Sequence, residues 1–411
     1  MPPALPGPRP SSRPSECYAG RVRRSFLLVA AIGALTCSCR ACAETSAAQA
    51  QEPSARTDGA SAAVPNMDVE RFRARAHVPS IAWAYVGRDF EASGAVGHAD
   101  VERSIVASDA TAFETASIAK TVIATCVMQL VEQGRMSLDA DVSSYVGFAV
   151  RHPRWPGPIT LRHLLTHTAA IVDLDETRAA GTIALGDFLG TYFADAGSRG
   201  VFLDARPGIV KAYSNVGASL AALAVERVTA TPFRDHAKEH VFEPLAMQAT
   251  AFGHGALPHG TEVAAPHASR GESFVRLSPP SHALYPVVDL FSTPRDLARF
   301  ARTILRRGEL DGVRILSPDA VDEMLRVQRP DAAPDDALGW QARTFAGRQV
   351  LGHEGEDSGA STGLYLDMET GTGAVVLANG DAFQSEDEAR ARALGDLVTT
   401  LLAAARSRAT R

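Results

Sequence analysis

The sequence predicts an α/β (α+β) protein: an antiparallel sheet flanked by helices, with a mostly helical subdomain inserted between the two halves of the sheet. Strand-like runs occur near both ends of the folded region, and helix-like runs fill the middle. Short turns join the neighbouring strands, which is the connection that antiparallel pairing allows. Hydrophobic residues make up 45% and charged residues 21% of the 411 residues, which is an ordinary globular composition.

The strands are predicted from short β-rich runs that are bounded by turn residues. Near the amino terminus they are 81–86 and 92–96, joined by a turn at Gly87-Arg88-Asp89. Near the carboxyl terminus they are 349–352, 363–367 and 373–378, with a turn near Glu369-Thr370-Gly371. One sheet built from both ends of the chain follows from this arrangement.

The helices are predicted from apolar residues that recur every three or four positions. They are 67–76, 117–133, 160–165, 218–228, 233–242, 294–307 and 386–405. The helix at 117–133 has the clearest apolar face and ends at Gly134. Together these elements predict one domain at 67–411, with a sheet subdomain at about 67–115 and 285–411 and a helical subdomain at about 116–284.

The first 43 residues have the features of an export signal. Arg21-Val22-Arg23-Arg24 precedes a short apolar run at 26–35, and Ala41-Cys42-Ala43 fits a cleavage site. The run is too short for a stable membrane span, so none is expected after cleavage. Residues 44–66 lack an apolar period and are predicted to be a disordered linker. We therefore expect an exported protein, periplasmic or secreted, with lipoprotein anchoring as the weaker alternative.

Charge and composition exclude several classes of function. The net charge is −6, so no basic field indicates nucleic acid as a partner. Gly-x-Ser-x-Gly and phosphate-binding glycine loops are absent, which disfavours an α/β-hydrolase and a nucleotide enzyme. Lysine occurs only at Lys120, Lys211 and Lys238. A lysine at catalytic spacing from a serine therefore arises by chance less often here than in a lysine-rich chain.

Three short motifs carry residues that suit acyl-transfer chemistry. In Ser117-Ile118-Ala119-Lys120, residues three apart share one face of a helix, and a lysine with a depressed pKa can activate a serine. Tyr213-Ser214-Asn215 follows a turn at Pro207-Gly208; a cationic neighbour would help the tyrosine to lose its proton. His353-Glu354-Gly355 follows a strand, where glycine would let a substrate approach closely. Each motif taken singly also fits an ordinary surface or packing role.

Taken together, the motifs resemble the serine β-lactamase and penicillin-binding protein superfamily, in particular its class C-like branch of esterases, D-aminopeptidases and transesterases. That family has a Ser-x-x-Lys, a Tyr-x-Asn and a Lys- or His-x-Gly in this chain order. The segment Leu164-Leu165-Thr166-His167-Thr168-Ala169-Ala170 is similar to the family's Leu-Leu-Thr-His-Thr-Ser-Gly. The resemblance extends from about residue 67 to residue 404, and it implies a β-lactamase/transpeptidase-like fold.

The resemblance also implies a role for each motif residue. Ser117 is acylated, Lys120 and Tyr213 share the work of the general base, and Tyr213 returns the proton to the leaving group. Asn215 orients the acyl side chain, and His353 and Gly355 form the third substrate-binding motif. The backbone N–H groups of Ser117 and Glu356 form an oxyanion hole, in which one lost donor costs about 3 kcal/mol. No metal or organic cofactor is implied.

Two departures from the family pattern bear on the substrate. His353 stands where the family's lactamases carry lysine, and Glu356 stands where relatives carry a small residue. Near neutral pH a histidine at its reference pKa of about 6.5 is only partly charged, and a nearby Glu354 or Glu356 would raise that pKa. We therefore expect a neutral or negative pocket rim.

These observations predict a serine hydrolase for a small-molecule ester or peptide substrate. Carboxylic esters are the first choice, with D-amino-acid peptides second and weak β-lactam hydrolysis third. One alternative is a non-catalytic binding protein on the same fold. Another is a zinc peptidase, because His236-Ala237-Lys238-Glu239-His240 matches the inverted zinc-peptidase pattern. His163 and His167 have the same spacing without the glutamate, and a structural hydrogen-bonding role is expected for them.

Overall fold

The computed structural model describes residues 66–178, 183–194, 196–279, 281–383, 385 and 387–411. The predicted signal at 1–43 and residues 44–65 of the predicted linker lie outside the described residues. The first helix begins at Asn66, so the predicted linker extends one residue too far. All described residues belong to one compact unit.

The strands in chain order are β1 (Ser80–Gly87), β2 (Glu91–Asp100), β3 (Ile105–Val106), β4 (Phe113–Glu114), β5 (Ala251–Phe252), β6 (His267–Arg270), β7 (Ser273–Arg276), β8 (Leu290–Ser292), β9 (Glu309–Leu310), β10 (Val313–Arg314), β11 (Gln341–Phe345), β12 (Arg348–Asp357), β13 (Ala360–Asp367) and β14 (Thr372–Ala378). Within the described chain, seven of them form the main sheet in the order β11-β12-β13-β14-β1-β2-β3. Every neighbouring pair in this sheet is antiparallel.

The α-helices in chain order are α1 (Asn66–Ala76), α2 (Ala119–Glu132), α3 (Ser143–Val146), α4 (Leu161–Leu165), α5 (Leu185–Ala194), α6 (Ala196–Arg199), α7 (Asn215–Thr229), α8 (Phe233–Ala237), α9 (Pro294–Leu305), α10 (Pro318–Leu325) and α11 (Glu388–Ala409). Short 3₁₀ helices include Ala116–Ile118 and Asp175–Arg178. No helix in the described ranges is both long enough and apolar enough to cross a bilayer.

Both faces of the main sheet are covered, which explains the unbroken apolar run of β1. Successive side chains of a strand point to opposite faces. Trp83 packs in the cluster that α1 and α11 form with the sheet. Ala84 packs in the larger cluster, which holds Phe300 of α9 on the opposite face. The predicted fold class, an antiparallel sheet flanked by helices with a helical region between its two halves, is confirmed.

The third motif lies within a strand and not after one. The predicted strand at 349–352 is the first half of β12, which continues through His353, Glu354 and Gly355 to Asp357. Its neighbour β11 was not predicted. A tight turn at Ala346-Gly347, with positive φ at both residues, joins the two strands. This geometry favours Asn-Gly, so an alanine there weakens the sequence signal for a hairpin.

The helices agree closely with the predictions except at their ends. Helix α7 begins at Asn215, three residues earlier than predicted, because the Ser214 side chain accepts a hydrogen bond from Gly217 N and caps the helix. The predicted helix at 233–242 is α-helical only to Ala237 and then becomes a π-helical turn at Lys238–Phe242. Helices α3, α5, α6 and α10 were not predicted.

Candidate active site

Ser117 lies in a tight turn between β4 and α2. The turn is the 3₁₀ helix Ala116–Ile118, and Ala116 has a positive φ of 46°. This left-handed conformation costs an alanine about 1–2 kcal/mol, so the surrounding packing must hold it. Part of that support is a hydrogen bond of 2.8 Å from Thr362 Oγ1 to Thr115 O. Ser117 itself is buried, with 8% of its surface exposed.

Lys120 is the first partner of the Ser117 hydroxyl. Its Nζ donates to Ser117 Oγ at 2.7 Å and also approaches Val287 O at 3.4 Å. The side chain is fully buried, and burial lowers the pKa of Lys120 to about 7, against a smaller opposing effect of the Asp173 charge. A substantial fraction of Lys120 is therefore neutral near pH 7 and can accept the serine proton.

Tyr213 is the second partner. Its hydroxyl donates to Ser117 Oγ at 2.9 Å, and Lys120 Nζ lies 5.1 Å from the centre of its ring. Although 43% of the residue is exposed, desolvation around the hydroxyl raises the pKa of Tyr213, and the hydrogen bond with Ser117 offsets this only in part. The sequence-based expectation that a cation would help Tyr213 to lose its proton is therefore wrong in direction. Tyr213 holds its proton and acts as a donor.

Asp173 fixes the second motif and was missed by the sequence analysis. Its carboxylate accepts hydrogen bonds from Ser214 Oγ at 2.7 Å, from Asn215 N at 2.7 Å and from Val216 N at 3.1 Å. A carboxylate is favoured at this place because the first N–H groups of a helix have no partners within the helix. Asp173 thereby orients Tyr213 from the start of α7. No local pattern marks it, since the contact joins segments far apart in sequence.

His353 lies beside the catalytic cluster but is uncharged. It is 3% exposed, its Nδ1 pairs with Glu354 O at 2.6 Å, and its ring centre is 6.3 Å from that of Tyr213. Burial and then the Lys120 charge lower the pKa of His353 to about 3. The expectation of a partly charged histidine is therefore wrong. Nε2 is buried, and among the described residues it has no hydrogen-bond partner.

The Glu354 side chain does not act on the imidazole as expected. Glu354 accepts a hydrogen bond of 3.0 Å from Tyr365 OH and pairs with Arg343 at 3.4 Å. Tyr365 belongs to the α1–α11 side of the sheet, so the Glu354 side chain points away from the Ser117 side. Glu356 is exposed at the end of β12.

Gly355 serves close packing. A Cβ placed on Gly355 would lie 2.3 Å from Thr115 O and 2.2 Å from Thr362 Oγ1. These atoms belong to the segment that leads into the Ser117 turn and to β13, so the missing side chain lets β12 approach the backbone just before Ser117. The interpretation that the glycine leaves room for substrate is wrong on this face.

A cavity of about 600 Å³ adjoins the cluster, because Val287, whose carbonyl oxygen contacts Lys120 Nζ, is one of its lining residues. Asn215 lines it, and Asn215 Oδ1 is buried without a hydrogen-bond partner among the described residues. Its wall is acidic and includes Asp175, Glu356 and Asp357. The structure thus brings Ser117, Lys120 and Tyr213 into direct contact, with His353 beside them. Asn215 and Glu356 lie on the cavity wall.

The remaining histidines of the sequence analysis have structural contacts. His167 Nδ1 accepts a hydrogen bond of 3.2 Å from Ser214 N, and its ring packs 4.3 Å from that of Tyr213. Arg329 Nη2 lies 3.0 Å from His163 Nε2. The expected hydrogen-bonding roles of His163 and His167 are confirmed. His236 and His240 stack at 4.3 Å, but in the described ranges no third His, Cys, Asp or Glu completes a metal-binding set with them.

Comparison with known proteins agrees with this geometry. The sequence profile of the β-lactamase family matches residues 66–399. Penicillin-binding protein 4 of Amycolatopsis lactamdurans is 30% identical over 331 residues, which cover 76% of this chain and 84% of that protein. Protein Flp of Staphylococcus aureus strain MW2 is 23% identical, and the match covers 76% of this chain and 61% of Flp.

Solved structures share the fold. The D-amino acid amidase of Ochrobactrum anthropi SV3, in complex with L-phenylalanine amide, superposes with a TM-score of 0.68 at 20% identity, covering 84% of this chain and 97% of the amidase. The octameric penicillin-binding protein homologue of Pyrococcus abyssi gives a TM-score of 0.67 at 23% identity, covering 81% of this chain and 76% of the homologue. From the profile match and these relatives, the chain belongs to the β-lactamase family.

Proposed function

We propose that this protein is an exported serine hydrolase that acts on small carboxylic esters through a Ser117 acyl-enzyme. The observation that carries the proposal is the convergence of two donors on one hydroxyl: Lys120 Nζ at 2.7 Å and Tyr213 OH at 2.9 Å from Ser117 Oγ. The lysine is buried and has a pKa of about 7, so it can act as the base. The export signal at 1–43 and the periplasmic or secreted location are part of the proposal.

In the first half of the reaction, neutral Lys120 accepts the proton of Ser117 as Oγ attacks the substrate carbonyl carbon. The backbone N–H groups of Ser117 and Glu356 stabilise the resulting oxyanion. Tyr213, which keeps its proton, donates to the leaving alcohol oxygen and is reprotonated from Lys120. Collapse of the tetrahedral intermediate expels the alcohol and leaves an ester between Ser117 and the acyl group.

In the second half, water replaces the alcohol. Neutral Lys120 removes a proton from the attacking water, while Tyr213 donates its proton to Ser117 Oγ and is reprotonated from Lys120, so the carboxylic acid leaves and the enzyme is restored. Asn215 orients the acyl side chain in the adjoining cavity. His353 is neutral, so it offers this substrate a polar ring rather than a cation.

A second candidate is hydrolysis of an amide or peptide that carries a free ammonium group, such as a D-amino-acid amide or D-amino-acid peptide. The acidic wall formed by Asp175, Glu356 and Asp357 favours this candidate, because an ammonium group would be attracted there. Weak β-lactam hydrolysis is the third candidate. It is disfavoured because a substrate carboxylate would meet negative charge and no lysine at position 353.

The test combines active-site labelling with a substrate panel on the protein. A fluorophosphonate probe should label Ser117 stoichiometrically, and Ser117→Ala should abolish both labelling and ester hydrolysis while the circular dichroism spectrum is unchanged. The matched control is Ser358→Ala, which removes a serine from the cavity wall. This variant should be labelled as fully as the parent. Failure of the parent to label would support a non-catalytic binding protein. Labelling at a different serine would refute the assignment of Ser117.

A further inference from the structure

Two carboxyl groups meet where the strand before the nucleophile joins the end of β12. Glu114 is the last residue of β4, three residues before Ser117. Asp357 is the last residue of β12 and directly follows Glu356. Glu114 is 6% exposed, the Asp357 side chain is 18% exposed, and the two carboxyl groups lie within hydrogen-bonding reach of each other.

Each of these groups has a buried oxygen that accepts no well-formed hydrogen bond. In the described part of the chain, Glu114 Oε1 and Asp357 Oδ2 are buried and accept no hydrogen bond. A buried, unsatisfied carboxylate oxygen is costly, and two ionised carboxylates in contact also repel each other. A single proton between the groups removes the repulsion and supplies the missing hydrogen bond.

We propose that Glu114 and Asp357 share one proton, and that this hydrogen-bonded pair sets the spacing between the Ser117 turn and the end of β12. Glu114 carries the proton and donates it to the Asp357 carboxylate. The second half of the proposal rests on the proposed function, since Ser117 N and Glu356 N are the two oxyanion donors that the pair holds in register. Glu114 is a positioning residue in this scheme, because it acts through the backbone of its neighbours.

The surroundings of the pair place the proton on Glu114. Burial raises the pKa of Glu114 well above its ordinary value, and the Asp357 and Asp289 charges raise it further. His282 lies between the other two carboxylates, with Nδ1 2.6 Å from Asp289 Oδ1 and Nε2 3.4 Å from Asp357 Oδ2. Asp381 is also close enough to Asp357 to feel its charge, and it accepts from Gly359 N at 2.5 Å. Asp357 thus has an imidazole beside it, whereas the charges that act on Glu114 are those of Asp357 and Asp289.

The proposal makes the stability of the fold depend on pH in a definite direction. The folded state binds the Glu114 proton more tightly than the unfolded chain does, so the stabilisation is complete below the ordinary glutamate pKa of about 4.5 and is lost as pH rises through the raised, folded-state value. In Glu114→Gln the amide N–H takes the place of the carboxyl O–H and does not titrate. The melting temperature of this variant relative to the parent should therefore increase with pH.

The first experiment measures melting temperatures from about pH 5 to about pH 9, together with the infrared carbonyl band of protonated carboxyl groups. From about pH 5 to about pH 9, the melting temperature of Glu114→Gln should rise by about 2 °C or more relative to that of the parent. The difference spectrum should show one protonated carboxyl group lost at neutral pH. The control is Glu354→Gln, which alters an ion-paired glutamate on β12, the strand that ends at Asp357. This variant should leave the infrared band in place. A constant melting difference with no lost band would overturn the shared proton.

The second experiment tests positioning through ester hydrolysis. Glu114→Gln keeps a donor toward Asp357 and should stay within about threefold of the parent kcat, whereas Glu114→Ala should lose about tenfold or more in kcat with KM changed less than about threefold. Equal losses in both variants would overturn the positioning role. If Glu114→Ala does not fold, Glu114→Met replaces it, because its side chain fills the space without a donor; a kcat within about threefold of the parent there would count against the proposal. The melting and infrared readouts need no turnover, so an inactive parent would refute the proposed function alone.

Discussion

The Asp173 carboxylate accepts a hydrogen bond of 2.7 Å from the backbone N–H of Asn215, the first residue of α7. One side chain from the loop after the Thr166-His167-Thr168 segment thereby fixes the start of the helix that follows Tyr213. The position of the Tyr213 hydroxyl over Ser117 depends on this cap, because Tyr213 immediately precedes the capping residue Ser214.

Removing the Asp173 carboxylate should therefore reduce both stability and turnover. Asp173→Ala leaves three donors at the start of α7 without their acceptor, and we expect a loss of about 1–3 kcal/mol in the free energy of unfolding. We also expect kcat for an ester to fall about tenfold or more, with a smaller change in KM. Asp175→Ala alters another acidic residue of the same cavity wall and is the matched control. Equal effects of the two changes on kcat would show that Asp173 does not position Tyr213.

The two partners of Ser117 should act as one unit. Lys120→Ala and Tyr213→Phe should each lower kcat about a hundredfold or more, the low end of general acid–base contributions. The double variant should lose less than the product of the single losses, because each residue works through the same hydroxyl. Steady-state kinetics on p-nitrophenyl butyrate measures all three variants. If both single changes are mild, the base lies elsewhere in the chain.

The rate of acylation should increase as pH rises through neutrality. Lys120 accepts a proton only when it is itself neutral, and its pKa is about 7, so the rising limb of kcat/KM should have its midpoint near that pH. No falling limb from Tyr213 is expected across the neutral range, because burial raises the pKa of Tyr213. The pH dependence of labelling by an uncharged fluorophosphonate measures this directly. A midpoint near the ordinary lysine pKa would contradict a desolvated Lys120.

The acidic rim should discriminate against anionic substrates. His353 is neutral, so Glu356 and Asp357 dominate the charge at this end of the cavity. We expect the parent to favour p-nitrophenyl butyrate over a chromogenic cephalosporin in kcat/KM, and amine-bearing substrates to compete well. Glu356→Gly should improve the cephalosporin more than the neutral ester. Glu354→Gln, on the opposite side of the strand, should leave the ratio unchanged. If the ratio of the two kcat/KM values is the same in Glu356→Gly as in the parent, the rim charge does not set specificity.

Features that depend on the spacing of neighbouring residues were predictable from the sequence. Ser117 and Lys120 are three residues apart across the start of a helix, so their contact follows from helical geometry. The apolar faces and turn residues also located most of the helices and five strands of the main sheet. The chain order of the motifs then indicated that Tyr213 meets Ser117, although 96 residues separate them.

Features that depend on burial were not predictable. The charge of His353 and the proton affinity of Tyr213 depend on desolvation by residues that are distant in sequence. Asp173 and Glu114 were missed for the same reason, since their partners are brought to them only by the completed fold. Gly355 was misinterpreted because the sequence shows that a side chain is missing but not which neighbour occupies the space.

The pairing of β1 with β14 has a consequence for how the chain acquires activity. Ile81 is matched with Ala378, so the centre of the sheet joins the earliest and the latest strands to be synthesised. A nascent chain that has emerged only as far as α10 contains Ser117, Lys120 and Tyr213 but lacks β12, β13 and β14. It therefore lacks the Thr362 hydrogen bond that helps to hold the Ser117 turn, and it exposes the apolar faces that pack against the sheet. Long-range pairing of this kind slows folding, so unfinished chains are targets for chaperones and proteases until the last segment arrives.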